Sequence, residues 1–170
     1  MKKKKQFDSI DLREELSELV SEYGHWIVLR QAIPGRKCSC VNPVTAESRT
    51  DCNLCLGSGR AYIDKFVRGR KSRDVGIMQN IGSESRAWIG FQTSPDYVFY
   101  IEYTTRPTQE DYVLEVKLDI EDQEPAVPVV VTNIYDISDV REMRSDQGRV
   151  EFYAVTAERQ SWSEFVLGSE

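Results

Sequence analysis

All four cysteines of this 170-residue chain lie between positions 38 and 55, as Cys38-x-Cys40, eleven intervening residues, then Cys52-x-x-Cys55. Two ligand pairs on neighbouring turns, joined by a short loop, can close a tetrahedral shell around Zn²⁺ without a large surrounding core. The second pair runs into Leu56, Gly57, Ser58 and Gly59, which gives it the form of a knuckle. Glycine there lets the chain fold back so that amide N–H groups face the sulfurs. The single residue between Cys38 and Cys40 is tighter than the usual two to four, so chelation by this half is expected to be strained. Cys38, Cys40, Cys52 and Cys55 are thus the expected ligands of a structural zinc centre, within an inserted metal module spanning 38–59. Four cysteines leave no open position for substrate, so such a metal would be a staple and not a catalyst. Two disulfides are one alternative and would need an oxidising compartment. An iron–sulfur cluster is another, although the spacing is unlike the common ferredoxin runs.

A module of this size cannot account for the rest of the chain, whose 40% hydrophobic and 29% charged residues suit one compact domain with its own core. No apolar run approaches the ~20 residues of a membrane span. The start, Met1 followed by Lys2 to Lys5, is too polar to lead a signal peptide, so cytoplasmic synthesis and no membrane partner are expected. Residues 1–10 read as a flexible basic N-terminus and 11–170 as a single β-rich domain. The net charge of −6 argues against a general nucleic-acid binder, which would gather an excess of Lys and Arg.

Along the chain, Asp11-x-x-Glu14 resembles a capping box. Leu12, Leu16, Leu19, Val20 and Tyr23 recur at helical spacing and Gly24 supplies a stop, predicting a helix over 11–23. His25 to Arg30 reads as a strand that Pro34-Gly35 ends before Cys38, and Arg60 to Val67 as the strand leaving the module. His25, the only histidine, is not expected among the ligands. Residues 68–74 read as a basic, solvated loop. Further strands are predicted at 86–92, 96–104, 112–118, 127–135, 149–155 and 162–166 from alternation and β-branching. The aromatics Trp88, Phe91, Tyr97, Phe99, Tyr103 and Tyr153 are expected as core and cross-strand pairs. With no helix-length segment between the strands, the fold class is mainly β: a small antiparallel β-barrel or sandwich with one N-terminal helix and the zinc-finger-like insertion.

No G-x-x-x-x-G-K-[ST], G-x-S-x-G or H-E-x-x-H occurs, and a single histidine leaves little for acid–base chemistry, so enzyme activity is not expected. The acidic stretch 119–124 lacks the glycine and ligand spacing of a calcium loop and reads as a solvated turn.

The order of these features resembles that of neck, or head-closure, proteins of tailed bacteriophages, which sit between portal and tail and some of which carry a cysteine-rich finger. The resemblance rests on Tyr23-Gly24-His25-Trp26 before the finger and on the two cysteine pairs with Leu56 to Arg60 inside it. It extends to Pro107 to Val113 as the lead-in to a barrel strand, and to Tyr135 to Arg144 followed by Gln147 to Tyr153 as a closing hairpin. It implies a structural virion protein at the head–tail junction, a homo-oligomeric ring whose partners are portal or adaptor and tail proteins. A passing contact of the basic stretch 68–73 with packaged DNA stays open, as do two other roles: a tail or baseplate component, and a zinc-finger module binding nucleic acid or protein.

Overall fold

The computed structural model describes residues 11–73, 97–121, 123–145 and 148–168. Its first element is α1 (Leu12–Tyr23), where the Asp11 side chain accepts from the Arg13 N–H at 3.0 Å and so satisfies one of the free donors of the first turn. Gly24 ends the helix as expected, but with φ −81°, so it is not needed for a left-handed turn. A Cβ at position 24 would stand 2.3 Å from the Val20 carbonyl oxygen, and only glycine fits that approach.

Seven antiparallel strands follow: β1 (His25–Lys37), β2 (Arg60–Arg73), β3 (Tyr97–Glu102), β4 (Tyr112–Val116), β5 (Val130–Arg144), β6 (Val150–Gln160) and β7 (Phe165–Val166). Neighbours run β4-β1-β2-β3-β6-β5, and β5 pairs back with β4, which closes six strands into a barrel. Closure removes the exposed edges of the sheet. The short β7 continues the β6 side of β5, with Val130 opposite Val166 and Val131 opposite Phe165.

The period-2 pattern turns one set of side chains inward. Ile27, Leu29, Phe99, Ile101, Val113, Tyr135, Ile137, Tyr153, Val155 and Ala157 form the barrel core. A second cluster lies on the other face of β1, β4 and β5, where Val28, Leu114, Val116, Val131 and Ile134 are covered by Phe165, with Trp162, Leu167 and Leu56 packed against them. The barrel wall is therefore apolar on both faces along this arc. That is why Val28-Leu29 and Val113-Leu114 read as continuous apolar pairs.

Several boundaries differ from those predicted. Strand β1 is not ended by Pro34-Gly35. It runs on to Lys37 by a bulge, in which residues 33–36 stand opposite Ala61 alone and Gly35 takes φ 71°. Strand β2 continues to Arg73, so 68–73 is strand and not a basic loop. Gly69 to Arg73 pair with Tyr97 to Ile101 of β3, and long-range partners take up the charge on Arg68 and Lys71. Strand β5 starts after Pro128 and reaches Arg144, well past the predicted end at Tyr135. The predicted strand 86–92, with Trp88 and Phe91, lies outside the described residues, as does the basic terminus 1–10. Phe99 and Tyr153 are core residues, and Tyr97 and Phe99 meet Tyr135 edge-on at ring distances of 5.2 and 5.1 Å. Tyr103 instead lies partly exposed beneath the Arg13 guanidinium. Among the described residues, no helix is long and apolar enough to cross a membrane.

Candidate metal centre

The β1–β2 hairpin carries residues 38–59 at its tip, and there the four cysteines converge: all their Sγ atoms lie within 4.8 Å of one another. Two of the edges run between the pairs, Cys38 to Cys52 at 3.9 Å and Cys40 to Cys55 at 3.4 Å. All four thiols are free. A disulfide needs ~2.05 Å, whereas a tetrahedral thiolate shell with metal–sulfur bonds of ~2.3 Å has sulfur–sulfur edges of ~3.8 Å. These two edges bracket the second value and the rest stay within 4.8 Å, so the residues fit a four-coordinate metal ion.

Local backbone chemistry builds this arrangement. The Val41 N–H bonds the Cys38 carbonyl at 3.2 Å, a tight turn that lets the one-residue spacing present two sulfurs. On the other side, the Leu56 N–H returns to the Cys52 carbonyl at 2.8 Å and the Ser58 N–H to the Cys55 carbonyl at 3.0 Å. Gly57 takes φ 80°, and a Cβ there would also crowd the Thr50 carbonyl oxygen at 3.3 Å. Leu56, at φ 52°, adopts the left-handed conformation without glycine's freedom.

The sulfurs sit in unequal electrostatic settings. Burial raises the Cys52 thiol, but the amide N–H groups of Cys55 and Leu54, together with hydrogen bonds from the Cys40 and Cys55 thiols, outweigh it and draw the pKa down to about 7. Burial pushes the Cys55 thiol up to about 12, with the neighbouring sulfurs adding to the rise and only the Gly59 amide opposing it. Cys40 is also raised by burial, against the Arg49 amide. Crowded thiols hold their protons because several thiolates repel one another, and a bound cation reverses that preference. Cys38, Cys52 and Cys55 are buried, with Val41, Leu54 and Tyr62 packed around the cluster.

The module is fastened to the barrel by Arg30, a residue that sequence reasoning did not single out. Arg30 is 2% exposed. Its Nε and Nη2 donate to both carboxylate oxygens of Asp64 at 2.7 and 2.9 Å, and its Nη1 donates to the Asn53 carbonyl, between Cys52 and Cys55, at 2.7 Å. No local pattern marks this residue, because its partners are 23 and 34 positions away.

A second polar cluster went unread for the same reason. In the barrel, Lys71 Nζ donates to Glu115 Oε1 at 2.7 Å and to the Tyr135 hydroxyl at 2.6 Å, while Tyr135 and Asn133 donate to Glu115 Oε2 at 2.8 and 2.9 Å. His25 Nε2 lies 3.6 Å from Glu115, outside the cysteine cluster. Burial alone would raise the Glu115 carboxyl. Its neighbours His25, Lys71 and Tyr135 reverse that and hold it at about 2.

No protein-family profile matches the chain, and no curated protein is found to be similar to it.

Proposed function

We propose that the protein is a structural virion component of a tailed phage, forming a ring at the head–tail junction, with Cys38, Cys40, Cys52 and Cys55 holding a structural Zn²⁺. One observation carries this reading. The sulfur shell is complete in protein ligands and is bolted to a closed barrel through Arg30, the arrangement of a rigid contact element and not of a reaction site. The resemblance to neck proteins supplies the location, with portal or adaptor and tail proteins as neighbours. A ring of such subunits uses heterologous contacts, one patch meeting a different patch on the next copy, for which a stapled projecting hairpin is suited. The zinc assignment follows from thiolate ligands, which favour zinc over harder cations.

One observation favours a second reading, a nucleic-acid-binding finger: residues 34–61 carry four basic side chains against Glu47 and Asp51. Arg49 pairs with Asp51 and Arg60 with Glu110, which leaves Arg36 and Lys37. Two phosphate contacts would give a logarithmic salt slope of only about −2, too shallow for a binder working on charge. Assembly is therefore the preferred reading.

The test is reconstruction of purified particles that contain this chain. Ring density between portal and tail fitted by the barrel supports the proposal. Density in the tail or baseplate keeps the structural role and removes the junction. Absence from particles, with a monomer that shifts DNA in moderate salt, overturns it in favour of the finger.

A further inference from the structure

We infer that Arg30 couples occupancy of the four-cysteine centre to the seating of the C-terminal segment around β7. This rests on reading the cysteines as a metal site. One guanidinium touches both parts: Nη1 binds the Asn53 carbonyl inside the metal loop, and the group lies 5.9 Å from the ring centre of Phe165 in β7. The fork to Asp64 fixes its plane, so it cannot follow one neighbour without disturbing the other.

Two further contacts join the same parts. Leu56 leaves the metal loop to pack on the outer cluster beside Trp162, Phe165 and Leu167. A cleft of about 420 Å³ is lined by Cys38, Arg30, Asp64 and Gly168, so the segment just after β7 faces the root of the module. The short β7 meets β5 at two ladder positions, and just after it the Leu167 N–H bonds the Val129 carbonyl at 2.8 Å.

The module's own buried cluster consists of Cys38, Cys52 and Cys55, so its packing centres on the sulfurs that a metal would hold together. Release of the loop removes the Asn53 carbonyl from a buried donor and Leu56 from the outer cluster. Both losses fall on the residues that cover β1, β4 and β5. The barrel core contains no residue of 38–59 and should not respond.

Hydrogen exchange read by mass spectrometry on the full chain tests this, with zinc-loaded protein compared with protein stripped by chelator under reducing conditions. Stripping should speed exchange in 38–59 and, by about tenfold, in 162–168, while 152–157 stays unchanged. In Arg30→Met, 162–168 should exchange fast in loaded protein and no longer respond to zinc. Arg30→Lys, which keeps the charge but cannot hold Asp64 and Asn53 together, should behave alike and serves if the first variant folds poorly. Response of 38–59 without response of 162–168 overturns the coupling alone. No zinc uptake and no response in 38–59 overturns the metal reading and the coupling with it.

Discussion

Arg30 donates to the Asn53 carbonyl at 2.7 Å from a side chain that is 2% exposed, which makes the loop between Cys52 and Cys55 part of the barrel's buried polar structure. A buried guanidinium is tolerated when its nitrogens find partners, and here Asp64 and Asn53 give each of the three a hydrogen bond. The inserted module is therefore fastened to the domain it interrupts.

The first expectation concerns the metal itself. Protein purified without chelator or oxidant should contain close to one equivalent of zinc per chain, because the four sulfurs fit a single tetrahedral shell. Elemental analysis decides it, and less than a tenth of an equivalent, or iron in place of zinc, would contradict the assignment.

Loss of a ligand should separate the two hydrophobic clusters. Cys55→Ser removes the most buried sulfur and should disorder 38–59, yet the barrel core holds no residue from that segment. Far-ultraviolet circular dichroism should keep most of its β signal while the thermal midpoint falls. Global loss of β signal would mean that the outer cluster, which includes Leu56, is needed for the barrel to close.

The pH dependence follows from Glu115, whose carboxyl is held at about 2 against an ordinary value of 4.5. A depressed carboxylate contributes stability that is full above pH 4.5 and is lost as pH falls towards 2, for an order of about 3 kcal/mol. Glu115→Gln should flatten the stability curve in that window. It should also cost about 2–3 kcal/mol at pH 7, since Lys71 is left partly buried without its counter-charge. Urea titrations at pH 3, 4, 5 and 7 would show an unchanged slope if the idea is wrong.

These clusters mark where the sequence could and could not be read. Alternation placed strands close to where β3, β4 and β6 lie, and cysteine spacing located the cluster of four sulfurs, because both signals are local. The run Arg68-Gly69-Arg70-Lys71 looked like a loop for lack of any local cue to its partners. Lys71 faces Glu115 and Tyr135, 44 and 64 positions on, and a Cβ at Gly69 would stand 2.9 Å from the Ile27 Cδ1, so the glycine gives that core side chain its room. Arg30 likewise ends the apolar run 25–30, a pattern that marks a strand and gives no cue to the partners of its arginine. Pro34-Gly35 looked like a terminus, yet a hairpin arm absorbs such a pair as a bulge.

Gly24→Ala should destabilise the protein, against the usual benefit of replacing glycine. Where the backbone permits it, that exchange gains ~0.4–1 kcal/mol through the unfolded state. Here the new Cβ would stand 2.3 Å from a backbone oxygen that also accepts the Gly24 N–H at 2.9 Å, so the junction of α1 and β1 must shift. A loss of about 2 kcal/mol is expected from chemical denaturation. A gain would show that the junction relaxes freely.

Leu56 offers the sharpest test of how the module is seated, because its backbone and side chain pull in opposite directions. At φ 52° a leucine costs ~1 kcal/mol relative to glycine, and the side chain offsets this by packing on the outer cluster with Trp162 and Leu167. Leu56→Ala loses the packing and keeps the strain. Leu56→Gly loses the same packing and relieves the strain. Both variants should be less stable than the parent, and the glycine variant should be the more stable of the two by about 1 kcal/mol, reversing the order expected where φ is negative. Equal stabilities would mean that the left-handed turn is not held in the folded protein. A glycine variant as stable as the parent would mean that the packing of Leu56 only matches the strain, at about 1 kcal/mol, whereas an alanine variant as stable as the parent would mean that Leu56 contributes nothing to the outer cluster.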